Sequence, residues 1–229
     1  MEPQSLLDNN SLSRLIAEKI TEQIITGELR PGDKIVESTY AREFGTSRAP
    51  IREALYLLMI EGLVVRIPRR GTLVKGYSEQ EIYDILEIRM MLETLAVRRI
   101  AEFGTNDLIL HKMKTLISQM ESAVNDSKKY AELNRQFHLM ILEMSKNEII
   151  KNVYLRLGVP LLALQRLSFL EEGNIHRSLE EHRVILQLLQ EKRFDRAIDV
   201  LERHNGAVKE RVERRVKGAI QGESFHQQG

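Results

Sequence analysis

The sequence predicts a mainly α protein, in which an N-terminal winged helix-turn-helix is followed by an all-α six-helix bundle. Two observations carry this prediction. Residues 11–75 mix helical and strand patterns, whereas from residue 79 onward apolar side chains recur at helical spacing almost to the end. The junction is short and polar, with Gly76 as a chain breaker and Ser78 as a candidate N-cap. We therefore expect a flexible N-terminus, two domains and a flexible tail, at 1–10, 11–76, 77–217 and 218–229.

The first domain is expected to contain three helices and a two-stranded ribbon. Ser47 is a good N-cap for the third helix, and a Pro-Arg-Arg-Gly turn at 68–71 separates the two strands. The helices are expected near 12–25, 37–44 and 47–60, and the strands at 63–67 and 72–74. This order of helix, helix, turn, helix and ribbon is that of a winged helix-turn-helix.

The second domain is expected to be helical throughout. Gly158 and Pro160 should kink its fourth helix, because proline removes a backbone donor and clashes with the preceding turn. The six helical segments fit 79–102, 106–124, 128–145, 147–170, 177–191 and 194–217.

Composition excludes several classes of protein. Of the 229 residues 42% are hydrophobic and 29% are charged, which is ordinary globular usage. The net charge is only +1, so any basic site must be local. The absence of cysteine excludes disulfide frameworks, cysteine zinc ribbons and cysteine nucleophiles. Neither a secretory signal nor an apolar stretch of about 18 residues is found, so we expect a cytoplasmic protein without a membrane partner.

Basic residues are concentrated where a winged helix would touch DNA. Arg48 and Arg52 are four residues apart on the third helix, so they share a face about a quarter turn from its apolar stripe. Ser47 and the free N–H groups at this helix start suit phosphate oxygens. The ribbon is equally basic, with Arg66, Arg69 and Arg70. The alternative is a solvated charged surface without a ligand.

Three histidines are expected to point into the bundle. His138 shares a helix face with Asn134, and His182 and His204 lie in the apolar stripes of two later helices. Converging imidazoles suit a divalent metal such as zinc or nickel. The alternative is three separate core histidines, each satisfied by a neighbour. The other histidines, His111, His176 and His226, are expected at the surface.

Arg89 is a further inward polar residue, on the same face as Ile82, Leu86 and Leu92. A buried arginine needs a partner. One interpretation is an internal ion pair with Glu93, one turn on. The other is that Arg89 also binds the carboxylate of a ligand in the bundle by a bidentate contact.

The first domain resembles the GntR family of bacterial transcription regulators. The matching segments are GELRPG at 27–32, YAREFGTSRAPIREAL at 40–55, EGLV at 61–64 and RRG at 69–71. The resemblance implies a helix-turn-helix at about 37–56 that binds double-stranded operator DNA. The implied contacts are Ser38, Ser47, Arg48, Ala49 and Arg52, with Arg69, Arg70 and Gly71 in the wing.

The second domain resembles the FCD effector domain of the FadR branch of that family, in its shorter VanR-type subgroup. The matching segments are 87–93, 137–138, 145–147, 181–182 and 203–204. The resemblance implies a divalent metal site, zinc or nickel, formed by Asn134, His138, His182 and His204. Asn134 stands where the family usually has aspartate. Because an amide oxygen carries no charge, we expect weaker metal binding than an aspartate gives.

The leading hypothesis is a homodimeric transcription regulator, a repressor, that binds a palindromic operator and responds to a small carboxylate effector. One alternative is a helical metal-dependent hydrolase or lyase fused to a DNA-targeting domain. This alternative lacks a positioned general base, since Glu180 and Glu181 are expected on or near the solvent side. Another is an architectural DNA-binding protein whose helical half only dimerises, which would favour apolar groups where Arg89 and the histidines lie.

Overall fold

The computed structural model describes residues 3–26, 28–171 and 173–224, and the side chains of 12–26, 28–158, 160–171 and 173–214. The chain divides into two compact units, one that combines the residues up to Glu81 with those from Ala219 onward and one from Ile82 to Gly218. In the part of the chain that the structure describes, no helix is long and apolar enough to cross a membrane.

The first unit is a winged helix-turn-helix. Its elements are α1 (Pro3–Ile25), β1 (Lys34–Ile35), α2 (Glu37–Glu43), α3 (Arg48–Ile60), β2 (Val64–Ile67) and β3 (Gly71–Val74). The strands form one antiparallel sheet in the order β1-β3-β2. The sheet therefore has a strand more than the predicted ribbon, because the two residues of β1 are too few to show an alternating pattern.

The start of α1 also differs from the prediction. The helix begins at Pro3, so residues 3–10, which were expected to be flexible, are helical. The periodic apolar pattern begins only at Leu12, and asparagine and aspartate at 8–10 are weak helix formers, so the sequence carried no signal there. A proline suits the first turn of a helix, where its missing N–H costs nothing.

The core of the first unit holds α3 in place. Buried apolar residues of α1, α3 and the sheet pack together, among them Ile16, Ile20, Ile51, Ala54, Leu55, Leu58, Leu63 and Val74. The buried face of α3 includes Pro50 and Ile51, whereas Arg48, Ala49 and Arg52 are exposed. Packing therefore fixes which side of α3 faces solvent.

The second unit is all helical. Its helices are α4 (Glu79–Phe103), α5 (Asp107–Ser122), α6 (Ser127–Met144), α7 (Glu148–Arg156), α8 (Gly158–Ser168), α9 (Asn174–Gln190) and α10 (Phe194–Ser224). The predicted segment 147–170 is two helices, because the chain breaks where Gly158 takes a φ of 48°. The last helix runs past residue 217 to Ser224, and 225–229 of the predicted tail lie outside the described residues.

Local capping explains several helix starts. Ser78 and Glu81 form a capping box: the Glu81 N–H donates to Ser78 Oγ at 3.2 Å, and the Ser78 N–H donates to Glu81 Oε2 at 2.8 Å. This confirms Ser78 as the N-cap of α4. Asn106, Asp126 and Asn147 cap α5, α6 and α7, since the side chain of each accepts a hydrogen bond from a backbone N–H of the first turn.

Candidate DNA interface and metal centre

The N-terminal half of α3 presents polar groups to solvent. Ser47 occupies the N-cap position in an extended conformation, and its side chain makes no capping hydrogen bond. Its hydroxyl and the first N–H groups of α3 therefore keep donors for an anion. Arg48 and Ala49 follow, both exposed, and Pro50 turns inward.

Arg52 has a partner that the sequence did not indicate. Its Nε donates to Glu37 Oε2 at 2.9 Å, with the two side chains 64% and 28% exposed. Glu37 lies in the first turn of α2, 15 residues earlier. An exposed pair of this kind contributes little to stability, roughly 0–1 kcal/mol. Its consequence is geometric, since it links α2 to α3 while the Arg52 side chain stays largely exposed.

A shallow concave surface of about 260 Å³ joins α2, α3 and the sheet. Three predicted DNA contacts line it, namely Ser38, Arg48 and Gly71. Lys34 and Arg66 line it too. Lys34 was not predicted, because the strand that brings it beside the wing is only two residues long. The arrangement gathers three cations on one face, which suits a polyanion.

The tip of the wing is exposed and tightly turned. Arg69 has a positive φ of 65° and Gly71 one of 91°, and β2 pairs Ile67 with Gly71 across the turn. A side chain at Gly71 would also bring its Cβ within 3.2 Å of Lys34 Cε. The positive φ favours glycine here, whereas the flexible end of Lys34 could shift to admit a Cβ. Arg69 and Arg70 project from this turn into solvent.

The three predicted histidines come together in the second unit. His138 of α6, His182 of α9 and His204 of α10 are fully buried, and one nitrogen from each lies within 4.8 Å of the others. The Nε2 atoms of His138 and His182 are 3.1 Å apart. The bundle therefore brings the histidines to one point rather than satisfying them separately.

Two carboxylates orient the imidazoles. His204 Nδ1 lies 2.7 Å from Glu181 Oε2, and His138 Nδ1 lies 3.1 Å from Glu93 Oε2. Because a carboxylate accepts, each Nδ1 carries the proton and each Nε2 keeps its lone pair. Glu181, expected on or near the solvent side, is partly buried at 20% exposure and reaches inward to His204. Glu180 is 66% exposed, as expected.

Burial keeps all three imidazoles neutral. It lowers the pKa of His138 from 6.5 to about 3, even though the neighbouring Glu93 carboxylate opposes this. Burial also lowers the pKa of His182 and of His204, the latter against the opposing effect of Glu181. Neutral imidazoles are the form that binds a metal ion.

The residues present fit a divalent metal. His204 Nε2 and Asn134 Oδ1 are buried and have no hydrogen-bond partner among the described residues. Asn134 lies one turn before His138 on α6 and is 1% exposed. Three imidazole nitrogens and an amide oxygen form a donor set for zinc or nickel, with the two carboxylates in the supporting positions usual for metal-bound histidines. His111 and His176 are exposed, and His226 lies outside the described residues.

Arg89 forms the ion pair that one interpretation predicted. Its Nε donates to Glu93 Oε1 at 2.9 Å, with the two side chains 1% and 0% exposed. Glu93 Oε2 also accepts from Asn205 Nδ2 at 2.8 Å. Burial raises the pKa of Glu93, but the Arg89 guanidinium and His138 outweigh it and hold the pKa well below its usual range. The Glu93 carboxylate therefore connects Arg89 to the histidine cluster.

The second interpretation of Arg89, contact with a ligand carboxylate, stays a prediction. Its Nη atoms are buried and make no well-aligned hydrogen bond with a described residue, although the Tyr154 side chain lies within hydrogen-bonding reach of the guanidinium. Two residues beside the Arg89–Glu93 pair were not predicted. Tyr154 of α7 lies next to Arg89, and Asn205 of α10 donates to Glu93. The sequence could have indicated Asn205, because this residue directly follows His204, which was itself predicted to face the site.

Comparison with known proteins identifies both halves of the chain. Residues 84–207 match the FCD domain, and residues 12–74 match the bacterial regulatory proteins of the gntR family. The gluconate operon transcriptional repressor of Bacillus subtilis is 27% identical over 88% of this chain and 84% of its own length. The HTH-type transcriptional regulator YdhC of the same species is 28% identical over 78% of this chain and 81% of its own.

Solved structures share the fold. Escherichia coli McbR/YncC has a TM-score of 0.63 at 20% identity, covering 93% of this chain and 98% of its own. A GntR family regulator of Pseudomonas syringae pv. tomato has a TM-score of 0.52 at 24% identity, covering 93% of this chain and 90% of its own. With both domains matched in this order, the chain belongs to the GntR family of bacterial transcription regulators, as a member with an FCD domain.

Proposed function

We propose that this regulator is a repressor that binds a palindromic operator as a homodimer and releases it when a small organic acid binds in the helical unit. The observation that carries the DNA-binding part is the exposed basic face formed by α3, the wing and Lys34, around Ser38, Arg48 and Gly71. Repression has support in a relative named as the repressor of the gluconate operon.

The proposed DNA contacts divide by chemistry. Arg48 and Arg52 lie on the exposed side of α3, where guanidinium groups can reach base edges in a major groove. Ser38, Ser47 and Ala49 lie beside these two arginines and are proposed to approach the sugar-phosphate backbone of the DNA. Arg69, Arg70 and Gly71 place the wing tip against a minor groove or flanking phosphates. A single module with so few phosphate contacts binds weakly at physiological salt, which favours a dimer on two half-sites. Because the operator lies on the bacterial chromosome, the proposal places the protein in the cytoplasm.

The effector is proposed to bind beside the histidine cluster. Zinc or nickel held by Asn134, His138, His182 and His204 would offer a Lewis acid to an oxygen of the ligand. The buried Nη atoms of Arg89, beside Tyr154, offer donors to a carboxylate. Effector and operator then favour different states of the dimer, so each lowers the affinity of the other by the same factor.

The relatives are transcription regulators, not enzymes, and the hydrolase or lyase alternative has no support among them. The architectural alternative does not explain why buried polar groups from α4, α6, α9 and α10 meet at one point.

One experiment tests the proposed regulation. Chromosomal fragments that bind the protein are selected, and the dissociation constant of one fragment is measured by fluorescence anisotropy with and without sodium citrate, gluconate or acetate. We expect at least one acid to weaken binding by about fivefold or more, since allosteric couplings are typically of that size. Unchanged affinity with every acid, at matched ionic strength, would contradict acid-controlled binding. Metal content of the purified protein is measured alongside.

A further inference from the structure

The three helices that carry the clustered histidines also carry a second set of buried polar side chains. On α6, Tyr130 lies eight residues before His138, and on α9, Ser178 lies four residues before His182. At 3.6 residues per turn these spacings put each pair on one helix face. The two helices that deliver two of the histidines thus also deliver two hydroxyl groups to the interior.

The third histidine helix contributes a cation. Arg211 lies seven residues after His204 on α10, again on the same face, and it is only 4% exposed. Side chains of a helix lean toward its N-terminus, so the guanidinium of Arg211 leans back toward His204. Arg214, three residues further on, is exposed.

Little in the surrounding protein satisfies these three side chains. The Nε and Nη2 atoms of Arg211 are buried without a hydrogen bond to any described residue, and the buried hydroxyls of Tyr130 and Ser178 have only each other within reach. Leaving such groups unsatisfied in the interior is unfavourable, and a guanidinium is the most costly of them. Native proteins tolerate groups of this kind where a ligand satisfies them.

Tyr130, Ser178 and Arg211 are close enough to interact electrostatically, as the influences on their pKa values show. Burial raises the pKa of Tyr130, the Glu181 carboxylate raises it further, and Ser178 and Arg211 oppose the rise. Burial lowers the pKa of Arg211, Glu181 opposes this, and the cationic Arg177 and Arg214 add to it. Glu181 is the acidic neighbour in both cases, and its oxygens already receive His204 Nδ1 and Arg177 Nε. Nε and Nη2 of Arg211 therefore meet no carboxylate among the described residues, unlike Nε of Arg89.

We propose that Tyr130, Ser178 and Arg211 form a second carboxylate-binding site, in addition to Arg89, that holds an acidic group of the effector. Nε and Nη2 are the two atoms of a guanidinium that present parallel N–H groups along one edge, and this edge matches the two oxygens of a carboxylate. The two hydroxyls add donors to the same oxygens. The inference rests on the proposed function, because it says where the effector's acidic group binds.

The first test uses the free protein. Because the unpaired guanidinium is unfavourable without a ligand, Arg211→Met is expected to leave the melting temperature unchanged or raise it by a few degrees. Arg214→Met is the matched control, since it removes the same charge from the exposed side of the same helix. A fall of about 6 °C or more for Arg211→Met alone would show that this arginine is a structural member of the core, and would overturn the proposal.

The second test adds anions to the purified wild-type protein and the variants. Sodium citrate, gluconate, acetate and phosphate are compared at matched ionic strength, which separates carboxylates from a phosphate. At about ten times its dissociation constant, a bound anion raises the melting temperature of a chain this size by roughly 3–6 °C. We expect a carboxylate to do so for the wild type and Arg214→Met but not for Arg211→Met. Tyr130→Phe, which removes one donor, should weaken the same anion by roughly 3–10-fold.

The outcomes are distinguishable. Equal stabilisation of wild type and Arg211→Met by a carboxylate would overturn this site and leave acid-controlled DNA binding intact, with Arg89 as the acid's partner. Stabilisation by phosphate alone would overturn the carboxylate assignment. If no anion stabilises the wild type, both this site and the acid effector are contradicted.

Discussion

The buried ion pair between Arg89 and Glu93 makes a quantitative prediction. Replacement of Arg89 by Met removes the cation 2.9 Å from a carboxylate that is 0% exposed. Breaking a buried pair in this way costs about 3–5 kcal/mol, because a charge is left without a partner in the interior. For a chain of this size each kcal/mol lowers the melting temperature by about 2–4 °C, so we expect a fall of roughly 6–20 °C.

The assay is thermal and urea denaturation of the metal-free protein, both monitored by circular dichroism. Arg193→Met is the matched control, since Arg193 pairs with Glu191 at 3.3 Å with side chains 47% and 39% exposed. An exposed pair contributes about 0–1 kcal/mol. Combining Arg89→Met with Glu93→Leu should recover part of the loss, because no buried charge remains. We expect only partial recovery, because His138 and Asn205 lose Glu93 Oε2 as their hydrogen-bond acceptor. If Arg89→Met costs no more than Arg193→Met, the reasoning is refuted.

Three further predictions concern the two sites. Arg52→Ala should weaken binding to a selected chromosomal fragment by about 1–3 kcal/mol without changing the melting temperature, measured by anisotropy against Arg193→Ala; equal affinities would contradict the assigned contact. Asn134→Asp should bind zinc more tightly by calorimetry, because a carboxylate adds charge to the donor set; identical affinity would show that residue 134 is not a ligand. In chelator, stability should fall as the pH drops below 6.5: the unfolded chain takes up protons there, whereas His138 in the fold has a pKa of about 3. This one residue accounts for about 2 kcal/mol by pH 5, and denaturation curves that are flat between pH 7 and 5 would contradict it.

Local signals made the winged helix-turn-helix predictable. Ser47 before Arg48, the apolar stripe from Ile51 to Leu58 and the turn at 68–71 each depend on neighbours in sequence, so the helix and wing are as expected. The strand Lys34–Ile35 was missed because its pairing partner, Leu73, is far away in sequence. The ion pair of Arg52 with Glu37 was missed for the same reason.

The sequence predicted which histidines form the cluster, but not which carboxylates contact them. His138, His182 and His204 each lie in an apolar stripe, which places them inside the bundle. Which carboxylate meets which imidazole depends on how the helices are rotated against each other, so the contact of Glu181 with His204 was not accessible. Arg211 differs, because its position seven residues after His204 was a readable signal.

The most direct test of the central claim measures whether α3 and the wing bind DNA. Chromosomal fragments are selected with the wild-type protein and with a variant carrying Arg48→Ala and Arg52→Ala, and binding of the best fragment is followed from about 50 to 200 mM salt. We predict that the wild type enriches a small set of fragments, with log affinity falling linearly with log salt concentration, and that the variant loses this enrichment while keeping its fold. Enrichment of the same fragments by both proteins, or of none by the wild type, would contradict the assignment of this surface to DNA.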